Sequence, residues 1–440
     1  MPQFLRGFLW IQLYVLVSVV PLAFALLGET PPGRDFVTEL SVALGFVGLA
    51  MLGLQFAITA RFGSVAAPFG MDVVIRFHRL ISLVAFAFVL AHPILLFVTD
   101  PATLELLRFW DAPWRARFGL ASVVLLVALV VTSVYRTRLG LSYEVWKVAH
   151  GVLAVAIVAT ALLHVQLVGY YVATVWKQVL WVLMSAALVG VLGWVRIVKP
   201  VLQLRQPWEV VSVEPERGDA WTVTLRPVGH DGLRALPGQY AWLIVDGTPF
   251  SAEEHPYSLS GSTEREDGHV SFTIKALGDW SAQAGDIEPG TRAYVDGPYG
   301  VFSPDRNEAP GFLFVAGGVG ITPFLGILQT MADRGDRRPI TLVHAGPTLD
   351  ELIGLEHVES LRDQLDLELV LVLEEPPDGW EGETGLPDAD LLDRVAPDRQ
   401  RTRWQYFVCG PPPMLDAVEE ALEQHGVPME QIQIERFDLA

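Results

Sequence analysis

Cysteine is almost missing from this sequence. Its one example among 440 residues, Cys409, excludes an internal disulfide, a Cys-ligated metal and an iron–sulfur cluster. Charge is scarce too, at 18% where soluble proteins carry about 25%, yet the formal net charge is -19. The two halves resolve that conflict. Residues 1–200 hold 14 Lys+Arg and 8 Asp+Glu, a balance of +6, and residues 201–440 hold 17 and 42, a balance of -25. A single soluble domain is therefore excluded. Nucleic acid is not an expected partner, because a strongly acidic surface repels phosphate. Lysine is rare, with 4 against 27 Arg, a skew to which no mechanism attaches. An EF-hand pattern and a long N-terminal extension are also lacking, so neither calcium gating nor an obligatory protein activator is expected.

What the first half does contain is apolar runs. A helix needs about 20 apolar residues to cross a bilayer, and six stretches qualify: Phe8 to Leu27, Leu40 to Ala60, Val73 to Thr99, Phe118 to Tyr135, Val145 to Val168 and Val175 to Val195. Six spans put both ends on one side. Arg61, Arg76 and Arg79 flank the second connection, Arg136, Arg138 and Lys147 the fourth, and Arg196, Lys199 and Arg205 follow the last span. The positive-inside rule makes that side cytoplasmic and predicts a multi-pass protein of the cell inner (plasma) membrane, its lipid partner the bilayer. Ala23-Phe-Ala25 has the look of a signal cleavage site, but the run before it exceeds the ~7 to 15 residues of a signal core.

All four histidines of this half fall in the third and fifth spans: His78 and His92, then His150 and His164. Fourteen residues bring a helix back to within roughly 40° of the same face, about 21 Å further along. Each helix thus offers two imidazoles on one face at two depths. A lone intramembrane histidine would suit a helix-to-helix hydrogen bond or a proton relay. Equal spacings on two parallel spans instead set His78 opposite His150 and His92 opposite His164, two bis-histidine sites of the kind that hold b-type haem. Arg76 and Arg79 are placed either to pair with propionates or simply to serve the positive-inside bias.

Past Pro200 the pattern becomes period-two strands: Trp208 to Val213, Trp221 to Pro227, Gln239 to Val245, Val270 to Ala276 and Arg292 to Val295. Short strands at this spacing predict a small antiparallel β-barrel. From Gly311 strands alternate with Gly-rich turns and helices, which predicts a doubly wound parallel α/β domain. Three motifs stand out: His255-Pro-Tyr-Ser-Leu-Ser-Gly-Ser262, Ala316-Gly-Gly-Val-Gly-Ile-Thr-Pro-Phe324 and Val408-Cys-Gly-Pro-Pro-Pro-Met414. The first suits a ring system with an anionic tail, or is an ordinary strand and turn. In the second, glycines admit a pyrophosphate, and Thr322 with Pro323 opens a helix whose N-terminus favours that charge. The third sits at a strand end, where open α/β sheets bind ligands, although Cys409 alone equally fits a small buried hydrophobe.

Taken in order, these residues resemble the bacterial NADPH oxidase and ferric reductase superfamily, a six-helix membrane domain fused to a ferredoxin-reductase-type dehydrogenase. The resemblance covers nearly the whole chain and implies a di-haem membrane domain (1–200), an FAD-binding barrel (201–305) and an NAD(P)H-binding α/β domain (306–440). It implies FAD contacts from His255, Pro256, Tyr257 and Ser258, and from Lys275, Leu277, Asp279, Trp280 and Ser281 in a second flavin segment. Val295-Asp-Gly-Pro-Tyr-Gly300 resembles the barrel-closing turn. Phe437 would cover the flavin ring, or else be a core residue of the last strand. NADPH or NADH would meet Gly317, Gly318, Gly320, Thr322 and Pro323, then Cys409, Gly410, Pro411 and Met414. One departure stands out: Asp350 and Glu351 occupy the segment where an Arg would accept a 2′-phosphate, which puts strict NADPH use in doubt. The implied activity moves electrons from cytoplasmic NAD(P)H through FAD and two haems to an acceptor on the far side. Dioxygen, yielding superoxide, is the first expectation; a ferric chelate or an extracytoplasmic redox protein is the second. A haem or ion transporter with a regulatory nucleotide domain would not need the flavin motif.

Overall fold

The computed structural model describes residues 3–62, 69–306, 308–395 and 403–437, and two compact units divide the chain near Pro200. The first unit is helical: α1 (Gln3–Leu26), α2 (Phe36–Ile58), α3 (Met71–Thr99), α4 (Trp114–Val134), α5 (Tyr143–Val168) and α6 (Val175–Gly193). The last runs on through a π turn, Trp194–Val198, into α7 (Lys199–Gln203). Among the described residues, six helices are long and apolar enough to cross a membrane. Their ends are set locally. Asp35 accepts the Thr38 N–H to start α2, Ser142 accepts that of Val145 to start α5, and Gly169, at φ +66°, ends α5 in the left-handed conformation that favours glycine.

In the second unit, β1 (Trp208–Glu216), β2 (Ala220–Pro227), β3 (Tyr240–Val245), β4 (His255–Ser258), β5 (Val270–Lys275) and β6 (Arg292–Tyr299) form one antiparallel sheet in the order β4-β3-β6-β1-β2-β5. The predicted barrel is a curled sheet closed at one point. Past β4, Leu259 bridges to Phe272, and the Ser260 N–H donates to the Ser271 carbonyl at 2.9 Å. Alternate residues such as Val223, Leu225, Phe272 and Ile274 fill its interior.

The remaining strands are all parallel: β7 (Phe312–Gly317), β8 (Ile340–Gly346), β9 (Leu367–Leu373), β10 (Glu383–Thr384), β11 (Gln405–Cys409) and β12 (Ile432–Glu435), in the order β10-β9-β8-β7-β11-β12. Helices α8 (Thr322–Asp333), α9 (Leu355–Ser360), α10 (Ala389–Val395) and α11 (Pro412–Gln424) accompany them. Their near-continuous apolar runs follow from burial on both faces. Phe312, Phe314 and Ala316 enter one core while Leu313 and Val315 enter the other. All strand carboxyl ends consequently open on one edge, where the Gly-rich turn after β7 and the Pro-rich turn after β11 lie side by side.

Candidate functional site

Helices α3 and α5 bring their histidines together in pairs. Ring centroids are 6.4 Å apart for His78 and His150 and 6.3 Å apart for His92 and His164, with ring planes inclined at 67° and 64°. The partners of Nδ1 fix the tautomers. Gln55 Nε2 donates to the Met51 carbonyl at 3.0 Å and to the Tyr14 hydroxyl at 3.3 Å, so Gln55 Oε1 accepts from His78 Nδ1 at 2.8 Å. Ser133 Oγ donates to the Leu129 carbonyl at 2.7 Å and therefore accepts from His150 Nδ1 at 3.2 Å. His92 Nδ1 donates to the Ser41 carbonyl at 3.0 Å, and His164 Nδ1 to the Arg115 carbonyl at 2.7 Å. Every Nδ1 thus carries a proton, which leaves each Nε2 with a lone pair, the arrangement of metal-ligating histidines.

The spacing fits a shared metal. Two imidazoles bound trans to one ion at about 2 Å, with each ring centre roughly 1.1 Å behind its nitrogen, would have centroids about 6.2 Å apart. Among the described residues no group of three or more His, Cys, Asp or Glu gathers to hold a metal ion. Room for the rings comes from glycine. A Cβ at Gly119 would lie 2.8 Å from His164 Nδ1, and one at Gly45 would lie 3.2 Å from His92 Cγ. Sequence reasoning had missed Gln55, Ser133, Ser41 and Arg115. The lone amide in the apolar run of α2 was an available signal; the two backbone acceptors have none.

In the curled sheet, β4 presents the motif expected to meet flavin. The Trp280 indole stacks on His255, with centroids 4.4 Å apart at 23°, and on Tyr257, 5.8 Å apart at 28°. Burial raises the Tyr257 pKa, so its phenol stays neutral. Pro256 pairs with Trp242, and the buried Ser258 hydroxyl has no protein partner among the described residues, an orphan that fits a cofactor's polar group. In the second segment Ser281 is already spoken for: its Oγ accepts the N–H groups of Leu277 and Gly278 at 3.0 and 2.9 Å and shapes their turn. Asp279 gives its carbonyl to Gln283 Nε2 at 3.0 Å.

A cleft of about 340 Å³ lies over the parallel strand ends, lined by Lys275, Leu277, Gly317, Gly318, Gly410, Pro411, Met414 and Phe437 among others. Phe437, 43% exposed, faces this cleft rather than a core. The predicted nucleotide glycines divide by role. Gly318, at φ +54°, has open space where a Cβ would stand. Gly320 instead packs on β11, where a Cβ would meet the Cys409 carbonyl at 2.2 Å. Thr322 donates to the Val319 carbonyl at 3.0 Å, and both it and Pro323 are buried at the start of α8. Cys409 does not line the cleft. Its side chain is wholly buried in a core, and burial raises the thiol pKa, so the bland alternative describes its side chain. Asp350 and Glu351 also lie outside the lining.

Comparison with known proteins matches two families in order along the chain. Residues 44–161 match the ferric reductase like transmembrane component and residues 314–420 the oxidoreductase NAD-binding domain. The chain belongs to the ferric reductase and NADPH oxidase superfamily. Within this superfamily fusion, the dehydrogenase half has many relatives. It is 32% identical over 236 residues to the propane 2-monooxygenase reductase component of Rhodococcus jostii, 52% of this chain and 62% of that protein. The chain thus spans less than two thirds of that relative. It is 32% identical over 243 residues to a probable dihydroorotate dehydrogenase B (NAD(+)) electron transfer subunit of Methanopyrus kandleri, 54% of this chain and 80% of that one. Among solved structures, the ferredoxin reductase in carbazole 1,9a-dioxygenase is similar at 26% identity and a TM-score of 0.45, covering 53% of this chain and 69% of that one.

Proposed function

We propose that this protein is a transmembrane NAD(P)H oxidase of the plasma membrane, taking electrons from cytoplasmic NAD(P)H and delivering them to dioxygen on the opposite side as superoxide and hydrogen peroxide. The double pair of histidines carries this reading. Each pair would hold one b-type haem, which would supply one-electron transfer. His78 and His150 would hold the inner haem, and His92 and His164 the outer one. A haem held by two imidazoles would offer its iron no further free site, so an acceptor would be reduced without binding iron. The basic connections around Arg61, Arg136 and Arg196 support the cytoplasmic orientation.

FAD, when bound, supplies the exchange between a two-electron donor and one-electron acceptors. His255, Tyr257 and Trp280 offer it an aromatic surface, Ser258 a hydroxyl, and Phe437 a ring at the cleft. Pro256 stiffens that strand, while Lys275, Leu277, Asp279 and Ser281 shape the adjoining wall. Gly317 and Gly318 admit the pyrophosphate of NAD(P)H, Gly320, Thr322 and Pro323 hold that turn in place, and Gly410, Pro411 and Met414 border the nicotinamide beside the Cys409 backbone. Ferric-chelate reduction, or delivery to an extracytoplasmic redox protein, is the second reading, favoured by the ferric-reductase-like match over residues 44–161. The deciding experiment compares NAD(P)H-driven, dismutase-sensitive acceptor reduction in air with Fe(III)-chelate reduction without oxygen. Rapid superoxide formation is expected; fast chelate reduction with negligible superoxide would reverse the order.

A further inference from the structure

We infer that Glu374 makes the cleft select NADH over NADPH by setting an unpaired carboxylate at the adenosine end. The inference rests on the cleft being the NAD(P)H site and goes further by naming the nucleotide it takes.

Strand order fixes which end is which. A pyrophosphate at the Gly317-Gly318 turn sits over β7, the central strand. On one side lie β11, β12 and Phe437, the redox end. On the other lie β8 and β9, two strand spacings or about 10 Å across, which receive the adenosine. The ribose 2′ position is read at the end of the second strand of such folds. Here that end is Ala345-Gly346-Pro347, with no cation. Glu374 directly follows β9 and is held against this end. Its N–H donates to the Gly346 carbonyl at 3.1 Å, and the next N–H, of Glu375, to the Pro347 carbonyl at 2.8 Å. Glu374 lines the cleft, is exposed, and its carboxylate has no hydrogen bond or ion pair among the described residues.

The acidic residues expected from sequence are occupied elsewhere. Asp350 is wholly exposed and 3.6 Å from Arg217, and Glu351 is 3.4 Å from Lys275. The cations that line the cleft are likewise neutralised: Lys275 by Glu351, and Arg436 by Asp416 at 2.9 Å and Glu419 at 3.1 Å. A carboxylate here can accept hydrogen bonds from free ribose hydroxyls. A 2′-phosphate would bring nearly two further negative charges beside it, with no free cation among the described residues lining the cleft to offset them.

The test is calorimetry on full-length protein in detergent with 5′-AMP and 2′,5′-ADP, backed by NADH and NADPH kinetics. Wild type should bind 5′-AMP at least about tenfold more tightly, and Glu374→Gln should remove most of that difference. The NADH over NADPH ratio of kcat/KM should fall in step, whereas Asp350→Asn should leave the binding ratio where it was. Equal affinity for the two probes in wild type, or a preference that Glu374→Gln does not move, overturns the inference alone. Binding of neither probe overturns the cleft assignment and the inference with it.

Discussion

The two halves of the molecule enclose histidine in opposite ways. Among the membrane helices, His78, His92, His150 and His164 each have a bonded Nδ1 and a partner imidazole whose centroid lies 6.3 or 6.4 Å away. In the nucleotide-binding sheet, His344 is fully buried on β8, and neither ring nitrogen has a hydrogen-bond partner among the described residues. Both kinds interrupt apolar sequence. A bonded Nδ1 orients the ring and aims the other lone pair, which is what a ligand needs. A ring with no partner is aimed at nothing; it fills volume beside Ala316 and Leu371 in the sheet register and pays for desolvation of two polar atoms.

The largest way to break that contrast is to delete a ligand. His92→Ala should reduce bound haem from two per chain to one, keep the site at His78 and His150 reducible by NAD(P)H, and stop electron exit. A pyridine haemochrome assay checks this, and an unchanged stoichiometry would sink the ligand assignment. His344 should respond to pH instead. Burial lowers its pKa from 6.5 to about 4, so the folded state favours the neutral ring. Its stabilising contribution is complete above pH 6.5 and lost as pH falls toward 4, because the unfolded chain takes up the proton first. The full loss is about 3 kcal/mol. His344→Leu should remove that component, so the gap between variant and wild type in thermal unfolding of the full chain should shift in the variant's favour from pH 7 to pH 4.5.

Sequence revealed the membrane pairs more fully than the cleft, and periodicity is the reason. A helix converts a 14-residue interval into a common face, so spacing placed His78 with His92 and His150 with His164, and the parallel run of the third and fifth spans set His78 opposite His150. Strand ends and turns have no such rule. The glycine motif located the mouth of the cleft, yet it could not tell Gly318, which opens on it, from Gly320, which packs on Cys409. Nor could it foresee that Asp350 and Glu351 would turn away while Glu374, 24 residues further on, lines the wall. That placement depends on how β9 aligns with β8, a long-range pairing. The curled sheet was legible from its alternating strands, but its closure at a single bridge was not.

The two pairs also differ from each other, and smaller changes test that difference. His78 and His150 donate to side chains, whereas His92 and His164 donate to backbone carbonyls. Gln55→Leu should therefore loosen His78 and weaken haem retention at that site by roughly 10- to 100-fold, the usual cost of losing such a partner. Retention under dilution, followed by the haem absorbance, measures it; an unaltered off-rate would show that Gln55 does not orient the ring.

Ser41→Ala is the counterpart at the other pair, with the smallest expected effect. Ser41 Oγ lies 3.0 Å from His92 Nδ1 and donates to the His92 carbonyl at 2.8 Å, so a contact list alone would rank it with Gln55. The acceptor that fixes the tautomer is the Ser41 carbonyl, however, and alanine keeps it. The lost hydroxyl bond is a neutral one, worth about 1 kcal/mol of stability, and haem retention at His92 should match wild type. A loss as large as that of Gln55→Leu would mean that the hydroxyl, not the backbone, aims the ring, and the distinction between the two pairs would fall.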